Sequence, residues 1–289
     1  MSLPRVTIVG LGLMGGSLAL ALRQAGAVAH ISGCGRQALL DRARQIGAID
    51  SGSTDAGEAV AASDVVVLCM PVETSMAVLR KIAPRLKHGA TVTDVGSTKQ
   101  EFAEAAREVF GPRAAERVLP GHPMAGREVS GLEHASADLY TGCLWLLTPL
   151  ADGTEASLTS AQREFTAMLR KLGAQVVFTD PATHDHTLAY TSHLPQLLST
   201  ALALTLRHEF NGDDEALRIH AGGLRSMLRL ATSDARMWKQ IAASNRQNIA
   251  QALESLEREL RELRESLAKD DFAEKFTEAR EFAARLKHE

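Results

Sequence analysis

Short apolar runs alternate with segments of helical periodicity along the first part of the chain. Six such runs are long enough to form strands, at residues 6–9, 29–31, 65–68, 91–93, 145–147 and 175–178. Between most of them, apolar positions recur at the spacing of a helix, at residues 18–24, 39–46 and 75–86. Strands that alternate with helices form parallel sheets, and strands with continuous apolar residues are buried on both faces. The pattern therefore predicts an α/β domain with a mostly parallel sheet over residues 1–181.

The pattern changes after this point, because strand-like runs disappear and long helical segments fill residues 182–289. One break is evident, at Asn211, Gly212 and Asp213. In a later segment, isoleucine and leucine recur at spacings of four and three, at Ile249, Leu253, Leu256, Leu260, Leu263 and Leu267. An apolar seam of this kind needs another helix to cover it. It predicts either packing within the chain or a homodimer formed through an all-helical second domain.

The composition narrows the class of protein. The 289 residues suit two domains, and 23% charged with 45% hydrophobic residues is typical of globular proteins. The formal net charge of -3 and the absence of a basic stripe argue against nucleic acid as a partner. The first residues lead directly into a strand, so we expect no signal peptide and no membrane partner. Three cysteines far apart in sequence predict no metal site, and they fit a cytoplasmic protein.

The glycine-rich stretch between the first strand and the first helix predicts a dinucleotide site. It reads GLGLMG and comprises Gly10, Leu11, Gly12, Leu13, Met14 and Gly15. In this pattern the first glycine makes a tight turn, the second lets the backbone approach a pyrophosphate, and the third lets helix and strand pack closely. The helix N-terminus then presents N–H groups to the phosphates. We therefore predict a Rossmann domain that binds a nicotinamide dinucleotide; a glycine turn without a ligand is the alternative.

The residues after the second predicted strand bear on which dinucleotide is bound. An enzyme that uses NAD usually carries an acid there, which accepts hydrogen bonds from the ribose hydroxyls. Residues 32–36 read SGCGR instead, and Arg36 could pair with a 2′-phosphate. We predict that NADP is favoured over NAD, unless Arg36 is a surface arginine at a helix start. Met70 and Pro71, which follow the strand at residues 65–68, are also assigned to the cofactor site.

Three further stretches carry side chains suited to chemistry. DVGSTK at residues 94–99 follows a predicted strand and should lie at the carboxyl edge of the sheet, where α/β proteins bind ligands. GHPMAG at residues 121–126 places a histidine in a predicted loop, outside regular structure, where it is a poor core residue. SHLPQ at residues 192–196 opens a long helix of the second half. Each predicted domain thus contributes a histidine that is a candidate for catalysis.

Together with the glycine-rich stretch, these motifs resemble the prephenate dehydrogenase family, as does RLATSDARMW at residues 229–238. The resemblance covers nearly the whole chain, and GHPMAG followed by SHLPQ is much more specific than the glycine pattern. Members of the family, which includes arogenate and cyclohexadienyl dehydrogenases, oxidatively decarboxylate prephenate or arogenate on the route to tyrosine. Their fold is a Rossmann domain followed by a helical dimerisation domain. The resemblance therefore implies a homodimeric dehydrogenase with a small-molecule substrate and NADP or NAD as cofactor.

The resemblance also implies roles for individual residues. Its place in GHPMAG makes His122 the base that takes the proton of the substrate hydroxyl, a task that suits a neutral histidine. Ser97 matches a serine that hydrogen-bonds the same hydroxyl or holds the histidine, although its place before a helix also fits an N-cap. His193 matches a second histidine that binds substrate or positions the nicotinamide. These three residues are the predicted catalytic group.

Three other residues are assigned to substrate binding. Arg229 matches an arginine that binds a substrate carboxylate, and Arg225, one turn earlier, is a rival for this role. Gln196 stands where many members of the family have a third histidine, which leaves open the preference for prephenate or arogenate. Trp238 either closes the substrate pocket or packs two helices together.

Two other functions fit parts of the sequence. The GLGLMG pattern is also typical of β-hydroxyacid dehydrogenases, but the catalytic lysine of those enzymes is missing after the glycines at residues 222–223. A non-enzymatic dinucleotide sensor that dimerises through the helices would need neither His122 nor Arg229. Activity towards prephenate, arogenate and a small hydroxyacid separates the three functions.

Overall fold

The computed structural model describes residues 4–127, 129–213 and 215–285. Contacts between residues divide the chain into two compact units. The first contains the chain up to Leu188 together with Thr232–Asn245, and the second contains Ala189–Ala231 and the chain from Arg246 onward. This division differs from a single boundary after residue 181, because one helical segment late in the sequence, Thr232–Asn245, belongs to the first unit.

The first unit is built on a five-stranded sheet in which every strand is parallel to its neighbours. Its strands are β1 (Arg5–Val9), β2 (His30–Cys34), β3 (Ser51–Ser53), β4 (Val65–Leu68) and β5 (Thr91–Asp94). Their order across the sheet is β3-β2-β1-β4-β5, so the direction in which strands are added reverses between β1 and β4. Doubly wound α/β proteins bind ligands at such a reversal. The predicted Rossmann-like domain is confirmed.

Continuous apolar strands explain why this sheet is covered on both faces. All four residues of β4 are buried, and successive side chains point to opposite faces. Val65 and Val67 belong to one apolar cluster, whereas Val66 and Leu68 belong to another. Burying a valine or leucine side chain contributes roughly 1.5–3 kcal/mol, so β4 alone contributes strongly to both clusters.

Four helices connect the strands of this sheet, and two more follow its last strand. They are α1 (Leu13–Gln24), α2 (Gln37–Gln45), α3 (Ala56–Val60), α4 (Val72–Ile82), α5 (Gln100–Phe110) and α6 (Ala114–Arg117). The helices predicted at residues 18–24, 39–46 and 75–86 correspond to α1, α2 and α4. The strand β3 was not predicted, because its sequence SGS carries no apolar pattern and its pairing with β2 alone makes it a strand.

A second sheet of three strands completes the first unit. It contains β6 (Gly121–Pro123), β7 (Leu144–Leu147) and β8 (Gln175–Phe178), with β6 antiparallel and β8 parallel to the central β7. We predicted a loop at residues 121–126, and this is wrong for the first three, because His122 is paired with Leu146. Glycine and proline have low strand propensity, so the contact with β7 decides this strand and the local sequence does not.

The remaining helices are α7 (Ser160–Lys171), α8 (Pro181–Leu188), α9 (Leu194–Phe210), α10 (Gly222–Leu228), α11 (Ala235–Ser244), α12 (Arg246–Ser266) and α13 (Phe272–Arg285). Of these, α7, α8 and α11 belong to the first unit, and the other four build the helical second unit. The predicted break is confirmed, since α9 ends where Asn211 adopts a left-handed φ of 33°. Within the described part of the chain, none of the helices has the length and apolarity to cross a membrane.

The predicted apolar seam lies on α12 and is only partly covered within the chain. Ile249 near the start of the helix is buried, whereas Leu260 is 50% exposed. Leu267 lies just beyond the last helical residue and is 67% exposed. Large apolar side chains exposed along one helix favour contact with another protein chain.

Candidate active site

The glycine-rich turn follows β1, at the reversal in strand order. Gly10 has a φ of 96°, a left-handed conformation that favours glycine. A side chain on Gly10 would meet the carbonyl oxygen of Cys69 at 2.6 Å, and one on Gly15 would meet that of Gly10 at 2.0 Å. Gly12 is the N-cap of α1, and apart from its neighbours along the chain no described atom lies within 4 Å of the place that its side chain would take. The turn thus leaves space for a phosphate beside a helix N-terminus, and it fits a dinucleotide pyrophosphate.

Two residues predicted to bind the cofactor follow β4, and one of them contacts this turn. Met70 lies against Gly10, since a side chain on the glycine would come within 2.8 Å of the Met70 Cγ. Pro71 is the exposed N-cap of α4. The other predicted cofactor residues contribute backbone and packing, because they are buried or half-buried: Leu11, Leu13 and Met14.

The chain between β2 and α2 carries no acid. The strand ends at Cys34, and Arg36 is the N-cap of α2. The Arg36 side chain is exposed and forms no ion pair with any residue that the structure describes. Asp41, the nearest acid along the chain, lies within α2 and accepts a hydrogen bond from Gln37 at 2.7 Å. The positive charge of Arg36 therefore faces solvent, where an anionic ligand can reach it.

A buried ion pair joins the DVGSTK segment to the strand that carries His122. Asp94 ends β5, and its carboxylate lies 2.5 Å from the Nζ of Lys99; both side chains are fully buried. The same carboxylate accepts the backbone N–H groups of Gly96 at 2.9 Å and Gly121 at 3.1 Å. Lys99 also donates to the carbonyl of Gly121 at 2.7 Å. Burial lowers the pKa of the Lys99 ammonium and Asp94 raises it. The pair holds the start of β6 at the end of β5.

His122 contacts a buried histidine that the sequence analysis did not single out. The Nδ1 of His122 lies 3.0 Å from the Nε2 of His184, and the Nδ1 of His184 lies 2.7 Å from an oxygen of Asp185. His122 is 8% exposed, and both groups from α8 are buried. Burial is the largest cause that lowers the pKa of His184, and hydrogen bonding to Asp185 opposes it. The only signal in the sequence was that His184 and Asp185 are adjacent. The pair lies shortly before the SHLPQ motif at residues 192–196. 

Ser97 lies in the bend between β5 and α5. It is half-buried, and its hydroxyl forms no hydrogen bond with any described residue. Ser97 as the N-cap of α5 is wrong, because that helix begins at Gln100 and its N-cap is Lys99. The Ser97 hydroxyl is therefore not committed to the helix and can contact a ligand.

The second unit holds four of the residues considered for substrate binding or catalysis. His193 is buried and ends a π-helical turn, Ala189–His193, a kind of turn that is frequent at functional sites. Gln196 is also buried, and its amide donates to the carbonyl of Leu230 at 2.6 Å. Arg229 begins a short 3-10 turn and is exposed, as is Arg225 on α10.

Trp238 belongs to the first unit, on α11. It is half-buried.

Comparison with protein families assigns both parts of the chain to the same family. Residues 18–178 match the family model described as prephenate dehydrogenase, nucleotide-binding domain. Residues 180–281 match the model described as prephenate dehydrogenase, dimerization domain. The chain is 29% identical over 274 residues to the prephenate dehydrogenase of Lactococcus lactis, covering 92% of this chain and 72% of the relative. It is 30% identical over 270 residues to that of Bacillus subtilis, covering 92% and 71%.

Solved structures give the same assignment. Prephenate dehydrogenase from Aquifex aeolicus, in complex with hydroxyphenyl propionate and NAD+, is 31% identical with a TM-score of 0.87, covering 100% of this chain and 99% of that one. A 3-hydroxyisobutyrate dehydrogenase from Mycobacterium tuberculosis is 16% identical with a TM-score of 0.52, covering 81% and 73%, which is a likeness of fold alone. The β-hydroxyacid dehydrogenase alternative is not favoured.

Proposed function

Because the chain belongs to the prephenate dehydrogenase family, we propose that it oxidatively decarboxylates prephenate in tyrosine biosynthesis, with arogenate as the alternative substrate. The observation that carries the proposal is His122, a buried imidazole hydrogen-bonded to a second histidine in the nucleotide-binding unit. In the family reaction a hydride leaves C4 of the substrate ring and the C4 hydroxyl loses its proton. Carbon dioxide then departs, and its bonding electrons make the ring aromatic.

His122 accepts the proton of the C4 hydroxyl. A neutral imidazole is suited to this at neutral pH, and a positioned general base accelerates such a step by about 10²–10⁴-fold. Ser97, on the bend after β5, hydrogen-bonds the same hydroxyl and orients it towards the base. Asp94 and Lys99 keep the Ser97 bend and the His122 strand together, because their ion pair binds β5 to β6.

Four further residues are proposed to act on the substrate or the cofactor. Arg229 pairs with a substrate carboxylate, since a planar guanidinium can donate two parallel hydrogen bonds to it. His193 binds substrate or positions the nicotinamide. Gln196 affects the choice between prephenate and arogenate, and Trp238 is the remaining candidate for substrate contact.

The protein binds a nicotinamide dinucleotide, which accepts the hydride when it is bound. The turn at residues 10–15 holds the pyrophosphate, and Met70, which follows β4, borders the same site. Pro71, the next residue, is also assigned to the cofactor. NADP is the favoured cofactor. The supporting observation is the absence of an acid after β2, together with the exposed guanidinium of Arg36 at the start of α2.

Arg36→Ala is expected to lower kcat/KM for NADP about ten- to a hundredfold, with little change for NAD. The reason is the loss of a charge-assisted contact to the 2′-phosphate, worth roughly 1.5–3 kcal/mol. Steady-state kinetics with both cofactors measures the effect. Arg42→Ala, which removes another exposed arginine of α2, is the matched control and should change neither value. Equal small effects of Arg36→Ala on both cofactors would contradict this role.

We also place the protein in the cytoplasm as a homodimer that assembles through the helical unit. The exposed leucines of the α12 seam support a partner chain. Sedimentation velocity measures the state of assembly. A folded and active monomer would contradict the dimer.

We expect the purified chain to reduce a nicotinamide dinucleotide and to release carbon dioxide when prephenate or arogenate is added. A small β-hydroxyacid should support neither change. Absorbance of the reduced cofactor and carbon dioxide release are followed in the same sample. Cofactor reduction with the hydroxyacid alone would exclude the proposed function, and cofactor binding without turnover of any of the three substrates would favour a sensor.

A further inference from the structure

A chain of buried hydrogen bonds runs from His122 to a carboxylate. It connects His122 on β6 to His184 at 3.0 Å, and His184 to Asp185 at 2.7 Å, with both latter residues on α8. We propose that His184 and Asp185 are positioning residues, which fix the orientation and the tautomer of His122 so that its Nε2 carries the lone pair. This inference rests on the proposed role of His122 as the base.

The direction of these hydrogen bonds follows from the donors around Asp185. One carboxylate oxygen accepts the backbone N–H of Lys99 at 2.7 Å, and the other accepts that of Gln100 at 2.9 Å. With both oxygens acting as acceptors, the carboxylate receives the Nδ1–H of His184. The Nε2 of neutral His184 is then an acceptor, so the Nδ1 of His122 must donate to it. The lone pair of His122 is consequently on Nε2.

Neutral His184 is essential to this arrangement. Burial lowers the pKa of His184, and the charge of Lys99 lowers it further, whereas Asp185 and Asp94 raise it. The direction of the net shift is downward, which keeps the ring neutral at pH 7. If His184 were protonated, its Nε2 would donate, and His122 would have to accept at Nδ1 and carry its proton on Nε2. His122 could then not take a proton from a substrate at Nε2.

Two other segments of the first unit hold the far end of this hydrogen-bond chain. The two carboxylate contacts of Asp185 satisfy free N–H groups at the start of α5, an N-capping contact made from a different helix. The amide of Asn245 donates to the backbone carbonyl of Asp185 at 2.7 Å. Because Asp185 is held at both its side chain and its backbone, its carboxylate is a fixed acceptor for the Nδ1–H of His184. In the serine protease triad, a carboxylate likewise orients a histidine and fixes its tautomer.

Two substitutions at His184 separate positioning from packing. His184→Leu keeps a similar volume but removes the acceptor, and we expect kcat to fall about ten- to a hundredfold with little change in KM. His184→Gln offers an amide oxygen that can accept from the Nδ1–H of His122, so it should retain a clearly larger kcat than the leucine variant. Thermal unfolding of both variants controls for stability. Equal activity of the two variants would overturn the proposal.

Nitrogen-15 NMR of histidine-labelled protein reads the tautomer directly. We expect the His122 proton on Nδ1 in the wild type and in His184→Gln, and on Nε2 in His184→Leu, the tautomer that free imidazole prefers. The His122 signal is identified among the ten histidines by its loss in His122→Asn. A wild-type His122 with its proton on Nε2 overturns the inference even if the leucine variant does not fold. If His122→Asn stays active, the proposed base is wrong; if only His184→Leu stays at wild-type kcat, the positioning role alone is wrong.

Discussion

His122→Asn is expected to lower kcat about 10²–10⁴-fold and to leave the Kd of the nicotinamide dinucleotide nearly unchanged. Asparagine has no basic nitrogen that can take the proton of the substrate hydroxyl. Its amide is polar, so the buried site beside His184 keeps a group able to hydrogen-bond. The glycine-rich turn after β1 does not involve this side chain, which is why cofactor binding should persist. Steady-state kinetics gives kcat, and isothermal titration gives the Kd.

Arg229→Ala provides the contrast, because it removes a group proposed to bind substrate and not to take a proton. A charge-assisted hydrogen bond is worth roughly 1.5–3 kcal/mol, so KM should rise about ten- to a hundredfold with a smaller change in kcat. If Arg225→Ala raises KM and Arg229→Ala does not, the carboxylate contact belongs to Arg225.

A His122→Asn enzyme that keeps more than half of the wild-type kcat would show that His122 is not the base.

Asp94→Ala should reduce the free energy of unfolding of the first unit by about 3–5 kcal/mol, because it leaves the buried ammonium of Lys99 without its carboxylate. The substitution also removes the acceptor for the N–H groups of Gly96 and Gly121. The two tryptophans of the chain, Trp145 and Trp238, both belong to this unit. Their fluorescence during urea denaturation therefore follows the unfolding of the unit that contains the pair.

The control is the double variant Asp94→Ala with Lys99→Met, which removes both charges and replaces the ammonium with an apolar group of similar length. It should recover part of the stability lost in Asp94→Ala, since no uncompensated charge stays buried. A double variant no more stable than Asp94→Ala would show that the backbone contacts of Asp94 dominate. An unchanged unfolding midpoint in Asp94→Ala would contradict the role of the ion pair altogether.

Elements with a strong local pattern were predictable near their observed bounds. Residues 65–68 form β4 and residues 175–178 form β8, because each is a continuous run of strand-forming residues. The break after α9 was equally clear, since asparagine and glycine readily adopt the left-handed conformation found there. By contrast, β3 and β6 have no such pattern. They become strands through pairing with neighbours that are distant in sequence.

The candidate site was predictable only in part, for a similar reason. His122 and Ser97 were identified as candidates because each lies in a short motif, GHPMAG or DVGSTK, that resembles the family. His184 and Asp185 were missed, since in a helical segment two adjacent polar residues usually face solvent. Lys99 was not recognised either, although it is fully buried, because lysine is rarely buried unless it is paired.

The sequence by itself determined the succession of an α/β unit and a helical unit, the glycine-rich turn after β1, and the residues that carry the motifs. These features depend on periodicity and on spacing over a few residues, which any chain segment displays locally. Only the tertiary structure decided that the partner of His122 is His184, 62 residues further on, and that Asp185 caps a helix from 85 residues away. It also decided that Thr232–Asn245 joins the first unit. Such contacts depend on the simultaneous packing of many side chains, and no local pattern specifies which distant groups will meet.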